Sequence, residues 1–173
     1  KNLDRLRHLD QICVGRTTTL ASNRGSIERA LVDADLVVGA VLVAGARAPI
    51  VVSEDMVRSM KPGSVIVDVA VDQGGCIATT RETTHTDPIY MQHGVVHYAV
   101  GNMPGAVPYT STYSLTNATL PYQLDVARHG ALGAVTQSEA LRHGLNTARG
   151  HITNDAVARE LNLAFVDPIT ALR

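Results

Sequence analysis

Apolar residues recur at every third position at the start of the chain: Leu3, Leu6, Leu9 and Ile12. That spacing predicts a helix with one apolar stripe, which we assign to the core. Thr17–Ala21 is short and β-branched and predicts a strand, and Ser22-Asn23-Arg24-Gly25 carries turn chemistry. Ile27–Val32 predicts a short amphipathic helix. Beyond Asp35 the pattern changes: Leu36 to Leu42 is apolar without alternation, which suits a strand covered on both faces, as in a parallel sheet. Residues 43–52 read as a loop. Ser53 is a good N-cap, with Glu54 and Asp55 in the first turn of a helix running to about Met60. Lys61-Pro62-Gly63 stops it. Ser64–Val69 predicts a second buried strand, Asp72 to about Pro88 a long polar loop, and Val95–Val100 a third strand. We read this order as β-α-β-α-β, the alternation of a doubly wound α/β sheet.

After Asn102 the pattern changes again. Pro104, Pro108 and a run of Ser and Thr precede a long helix ending near Gly130. Pro121 lies inside it and is expected to kink it. The remainder, residues 134–173, predicts two or three short helices with weak caps.

Composition narrows the class. The chain has 173 residues, 45% of them apolar, which suits one soluble domain, or one domain and part of another. The longest apolar run, Leu36–Ala46, is about half the length of a membrane-spanning helix. Fifteen basic residues against 16 acidic ones give a net charge of −1, without the electrostatic footprint of a nucleic-acid binder. Cys13 and Cys76 are too few for a disulfide framework and favour a reducing compartment, so a cytoplasmic location is expected. The chain opens on a helix with no initiator Met, and we expect it to be part of a longer protein.

In an open parallel sheet, ligands bind beyond the carboxyl ends of the strands. Val41-Leu42, Val69–Gly75 and Val100–Met103 are the segments so placed. Asp72-Gln73-Gly74-Gly75 is the sharpest of them. Paired glycines let backbone approach a bound group, and the carboxylate could move protons; the plainer reading is a tight turn with a solvated Asp. Asn102-Met103-Pro104-Gly105 is either part of the same site or a loop joining two domains. His93 and His97 fall on a turn and a strand, where residues four apart do not converge. Asp125 and His129 share a helix face, which allows a divalent metal such as Mg or, more plainly, a solvated His near a helix end. No nucleophile elbow and no Gly-x-Gly-x-x-Gly is present. A bound dinucleotide would need its pyrophosphate loop upstream of Lys1.

Several long motifs resemble the alanine dehydrogenase family. They are Ala34-Asp35-Leu36-Val37-Val38-Gly39-Ala40-Val41-Leu42 with Ala48-Pro49, and Met60-Lys61-Pro62-Gly63-Ser64-Val65-Ile66-Val67-Asp68-Val69-Ala70 continuing into Asp72-Gln73-Gly74-Gly75-Cys76. Thr83-Thr84-His85, His97-Tyr98, Asn102-Met103-Pro104-Gly105-Ala106-Val107-Pro108, Thr110-Ser111-Thr112 and Leu115-Thr116-Asn117-Ala118-Thr119-Leu120-Pro121-Tyr122 agree as well. The likeness runs strongly to about Gly130 and loosely beyond. The NAD-binding subunit of proton-translocating transhydrogenase shares the Ala-Pro loop and the Lys-Pro-Gly-Ser strand entry. It does not usually continue as Asp-Gln-Gly-Gly-Cys and then Asn-Met-Pro-Gly.

The resemblance implies NAD-dependent, reversible oxidation of L-alanine to pyruvate and ammonium, carried out by a homo-hexamer. It places an incomplete Rossmann-type domain at residues 1–103 and a helical segment returning to the substrate domain at residues 104–173. It makes Asp72 the catalytic carboxylate, partnered by a His outside this chain. NAD contacts would come from Arg5 and Ser22 near the adenosine, from Val41, Leu42, Val69, Ala70, Val71 and Asp72, and from Arg81, Val100, Gly101, Asn102 and Met103. Asn102 and Met103 would also touch substrate. Departures from the family pattern are Gly101 where many relatives have Ala, Tyr109 where many have a basic residue, and Asp125 in place of a longer carboxylate beside His129. Two other readings stay open: a non-catalytic NAD-binding or oligomerisation fragment, and the transhydrogenase subunit.

Overall fold

The computed structural model describes residues 2–173 and divides into two compact units. The first holds residues up to Val41 together with Pro49–Gly101; the second holds Leu42–Ala48 and Asn102–Arg173.

The first unit begins with helices α1 (Leu3–Ile12) and α2 (Arg24–Asp33). Asn2 caps α1, its side chain accepting from the Arg5 amide. Asn23 caps α2 through a reciprocal box with Ser26, so the predicted turn is the start of this helix. Thr17–Ala21 forms no strand, because β-branched residues make a strand only where a partner strand takes their hydrogen bonds.

A four-stranded sheet follows, ordered β1-β2-β4-β3, from β1 (Leu36–Gly39), β2 (Val65–Asp68), β3 (Ile89–Gln92) and β4 (Val95–Tyr98). The first two pairings in that order are parallel, with Gly39 opposite Asp68 and Val67 opposite Tyr98. β3 is antiparallel to β4 and was not expected from the sequence. Its hairpin turns through His93 and Gly94, both at positive φ (53° and 76°), the two-residue geometry that matches strand twist. Helix α3 (Glu54–Arg58) lies between β1 and β2 in the chain, with Ser53 as its cap. No α-helix separates β2 from β4; a 3-10 helix (Val69–Gln73) and β3 occupy that interval. The architecture is thus the expected incomplete Rossmann-type α/β sheet, with an antiparallel edge strand added.

The two faces of the sheet differ. Gly39, Ile66, Asp68, Val95 and His97 share one face by register and are all buried. Leu36, Val38, Ile89 and Met91 share the other and are 54–62% exposed. The expectation of cover on both faces therefore fails within this chain. The stripe on α1 is likewise not core: none of its residues is buried, and Leu3 and Ile12 are 54% and 61% exposed.

In the second unit a 3-10 helix (Met103–Ala106) leads into α4 (Pro108–Gln137). Helix α4 breaks at its expected end, Gly130 (φ 66°, ψ 173°), while the backbone at Pro121 keeps helical angles. Helices α5 (Glu139–Gly144), α6 (Asp155–Leu161) and α7 (Pro168–Leu172) follow, with a two-residue hairpin of β5 (Thr147–Ala148) and β6 (His151–Ile152). Their caps are stronger than expected: Ser138, Asn154 and Asp167 each accept backbone N–H groups at the helix starts. No helix among the described residues is long and apolar enough to cross a membrane.

Candidate active site

β1, β2 and β4 run parallel, so their carboxyl ends lie at one edge of the first unit. Val69, Ala70, Val71 and Asp72 leave the end of β2 in the 3-10 helix. Ala70 and Val71 are buried, whereas Val69 and Asp72 are exposed at the strand edge. The helix ends at Gly74, and both Gly74 (φ 92°) and Gly75 (φ 76°) sit in the left-handed region. The paired glycines are therefore required by the backbone path.

Asp68 organises this turn, a role that reading of the sequence missed. It is fully buried at the last position of β2. One carboxylate oxygen accepts from the Ala70 amide at 3.0 Å, the other from the Cys76 amide at 2.9 Å. The Cys76 thiol also lies 3.5 Å from Oδ1. Burial, and secondarily the Asp68 carboxylate, push that thiol above its ordinary range. The signal in the sequence was a charged residue closing an otherwise apolar strand, Val65-Ile66-Val67-Asp68.

A second network fastens the segment after the turn. His97 is fully buried on β4, with Nδ1 3.0 Å from the Val95 carbonyl and Nε2 2.8 Å from the Thr79 hydroxyl. A carbonyl only accepts, so Nδ1 carries the proton and Nε2 accepts from Thr79. Burial holds this imidazole below its usual range. Tyr90 stacks on His97 with ring centroids 4.9 Å apart and donates to the Thr79 carbonyl at 2.8 Å. Arg81 lies over the Tyr90 ring, 4.1 Å from its centroid, and its amide donates to the Tyr90 hydroxyl. Two residues on, Thr83 bridges the buried Val100: its amide donates to Ala99 and its carbonyl accepts from Gly101. The exposed Arg81 is thereby tethered close in sequence to the Val100–Gly101 strand exit. A Cβ at Gly101 would meet the end of the exposed Glu82 side chain, which can swing aside.

The remaining expected residues are more scattered. Ser22 lines a cleft of about 340 Å³ with Asn23, Ile27, Ile50, Ser53 and Met56, at the starts of α2 and α3. Arg5 is exposed on α1, and its guanidinium makes no hydrogen bond or ion pair among the described residues. Val41 is half-buried in the first unit; Leu42, Asn102 and Met103 fall in the second. There Asn102 adopts a left-handed backbone (φ 53°, ψ 55°) and lines a cleft with Pro104, Ser111 and Leu115. The divalent-metal reading of Asp125 and His129 gains no support. Both lie on α4, and no third His, Cys, Asp or Glu joins them to complete a ligand set among the described residues.

Comparison with known proteins agrees with the fold. A parallel sheet whose strand ends carry such loops defines an α/β domain of the doubly wound class. Residues 1–155 match the model of the "Alanine dehydrogenase/PNT, C-terminal domain", and the chain belongs to that family. It is 56% identical over 173 residues to the alanine dehydrogenase of Bacillus subtilis and 54% identical over 172 residues to that of Methanococcus maripaludis, in each case covering 99% of this chain and 46% of the relative. The chain thus spans about half the length of the curated relatives it matches. A solved L-alanine dehydrogenase superposes with a TM-score of 0.80 at 49% identity, over 93% of this chain and 44% of that one. A solved transhydrogenase from Sinorhizobium meliloti gives 0.52 at 28% identity, over 60% of this chain and 29% of that one. The likeness to alanine dehydrogenases therefore extends over more of the chain and is closer.

Proposed function

We propose that this chain supplies the carboxyl-terminal half of an NAD-dependent alanine dehydrogenase that interconverts L-alanine with pyruvate and ammonium. The observation that carries the reading is Asp72, an exposed carboxylate on a rigidly closed turn at the carboxyl end of a parallel strand, in a chain more than 50% identical to alanine dehydrogenases along nearly all its length.

Ala40, Val69 and Asp72 are exposed beyond the carboxyl ends of β1 and β2, where a dinucleotide would lie. Gly39 has no room for a Cβ, which would lie 2.6 Å from the Cys76 sulfur, so the segment after the turn packs directly against the end of β1. Residues 1–103 would form the carboxyl-terminal part of the nucleotide domain and residues 104–173 the return to the substrate domain. Arg5 and Ser22 would serve the adenosine end. Val41, Leu42, Val69, Ala70, Val71, Arg81, Val100, Gly101, Asn102 and Met103 would line the nicotinamide half. When bound, NAD accepts the hydride from the substrate α-carbon.

The chain's own residues would handle protons and orientation. Alanine must lose an ammonium proton before its α-carbon can release hydride, and the imine that results must take up water to give ketone and ammonia. Asp72 would accept and return those protons. Asn102 and Met103 would hold the substrate against the reacting ring. The family reading extends to a cytoplasmic homo-hexamer. Asp72→Asn in the full-length protein is expected to lower turnover more than tenfold, about 1.4 kcal/mol of barrier, with NADH affinity unchanged by fluorescence titration. Turnover within tenfold of wild type would remove Asp72 from the chemistry.

A further inference from the structure

We propose that Asp68 is the positioning residue for the Asp72 carboxylate, a clamp that closes the turn 69–76 and so sets where the proton-handling group stands. The inference rests on the catalytic reading of Asp72 and goes beyond it to a residue that would touch neither substrate nor cofactor.

Four observations meet at Asp68. It is fully buried at the end of β2. No Lys, Arg or His pairs with it among the described residues. A buried carboxylate without a cation is costly unless other donors satisfy it. Here the donors are the two ends of one turn: the Ala70 amide at 3.0 Å on one oxygen and the Cys76 amide at 2.9 Å on the other, with the Cys76 thiol as a third group at 3.5 Å. Asp72 lies between those two anchor points in sequence, on the 3-10 helix that Asp68 caps.

The surroundings are cut to fit the clamp. A Cβ at Gly75 would stand 3.0 Å from Asp68 Oδ2, and one at Gly39 would stand 3.2 Å from Oδ1. Gly75 also returns its amide to the Ala70 carbonyl at 3.0 Å, closing the same turn from inside. A carboxylate has two acceptor oxygens and can hold both amides at once. An asparagine has only one acceptor and would present an N–H₂ to the other amide. Loss of one anchor would let the turn open by one hydrogen bond, and small displacements of a catalytic group cost large factors in rate.

The test compares Asp68→Asn, Gly75→Ala and Asp72→Asn in the full-length protein, each characterised by thermal melting, NADH titration and steady-state kinetics. Asp68→Asn is expected to lower kcat at least tenfold while the KM for NAD stays within threefold, in protein that melts cooperatively. Gly75→Ala, which presses on Asp68 from the other side, is expected to show the same split. A folded Asp68→Asn enzyme with kcat within twofold of wild type would overturn the proposal. So would failure of both variants to fold, since Asp68 would then serve the fold alone. If Asp72→Asn itself keeps its turnover, the catalytic reading of Asp72 fails first, and that result is read from a variant in which the clamp is intact.

Discussion

At the scale of single residues, this protein depends on side chains that are absent as much as on those present. Gly39 does not need its glycine for a positive φ; it needs it because the Cys76 sulfur occupies the space a Cβ would take, at 2.6 Å, with the Asp68 carboxylate and Ile77 behind it at 3.2 and 3.3 Å. All three neighbours are fully or almost fully buried and cannot swing aside. Gly39→Ala is therefore expected to destabilise the full-length protein by about 1–3 kcal/mol, the usual cost of overpacking a closed core. The measurement is a melting or denaturant midpoint. Because sulfur is the nearest obstacle, Gly39→Ala combined with Cys76→Ala should recover part of the loss. Strict additivity of the two changes would show that the glycine is kept for some other reason.

Elements add a pH dependence. The β3–β4 hairpin is pinned to the segment after the Asp72 turn by His97, which is buried, stacked on Tyr90 and bonded to Thr79. Burial first, and the nearby His93 to a lesser degree, hold its pKa below the ordinary imidazole value of 6.5. The unfolded chain then binds the proton more readily than the folded one. Its contribution to stability is present above pH 6.5 and is lost as pH falls from there through the depressed folded value. Denaturant midpoints are expected to fall on acidification across that window. They should fall less steeply in His97→Gln, whose amide can still bridge Thr79 but takes up no proton. Equal slopes in the two proteins would exclude His97 as the source. Farther along the chain, α4 shows how an element ends. Its Pro121 sits inside a helix that continues, while Gly130 adopts angles reserved almost wholly for glycine.

For the whole molecule, the governing fact is an apolar sheet face left open. Leu36, Val38, Ile89 and Met91 stand on it, and on the helices Leu3, Ile12, Tyr109, Tyr113 and Leu115 are also exposed. Apolar side chains left exposed across a sheet face drive association, and among the described residues β1 is an edge strand with an unpaired side. The 173-residue chain expressed alone is expected to self-associate in sedimentation velocity and to bind an apolar dye. The full-length protein, with the additional half its relatives carry, is expected to sediment as one defined oligomer and to bind no dye. A monomeric 173-residue product with a sharp melt and no dye binding would show that these surfaces are tolerated without cover.

Local chemistry was legible from the residues in order. The apolar runs located β1, β2 and β4, Ser53 announced α3, the spacing of Leu3 to Ile12 located α1, and two glycines beside Asp72 marked the turn that now carries the proposed catalytic group. These signals act over a few residues, through backbone preference, capping and side-chain periodicity. Contacts between residues distant in sequence were not legible. Gly39 and Asp68 stand side by side by strand register, the turn after β2 brings Cys76 back against both, and Thr79 farther along that segment meets His97 on β4. The strand β3 is a four-residue run just past the polar loop and exists through its pairing with β4. The exposure of the α1 stripe and of one sheet face could not be read from hydrophobicity at all, because a pattern states which side chains avoid water, whereas burial depends on whether another surface is there to receive them.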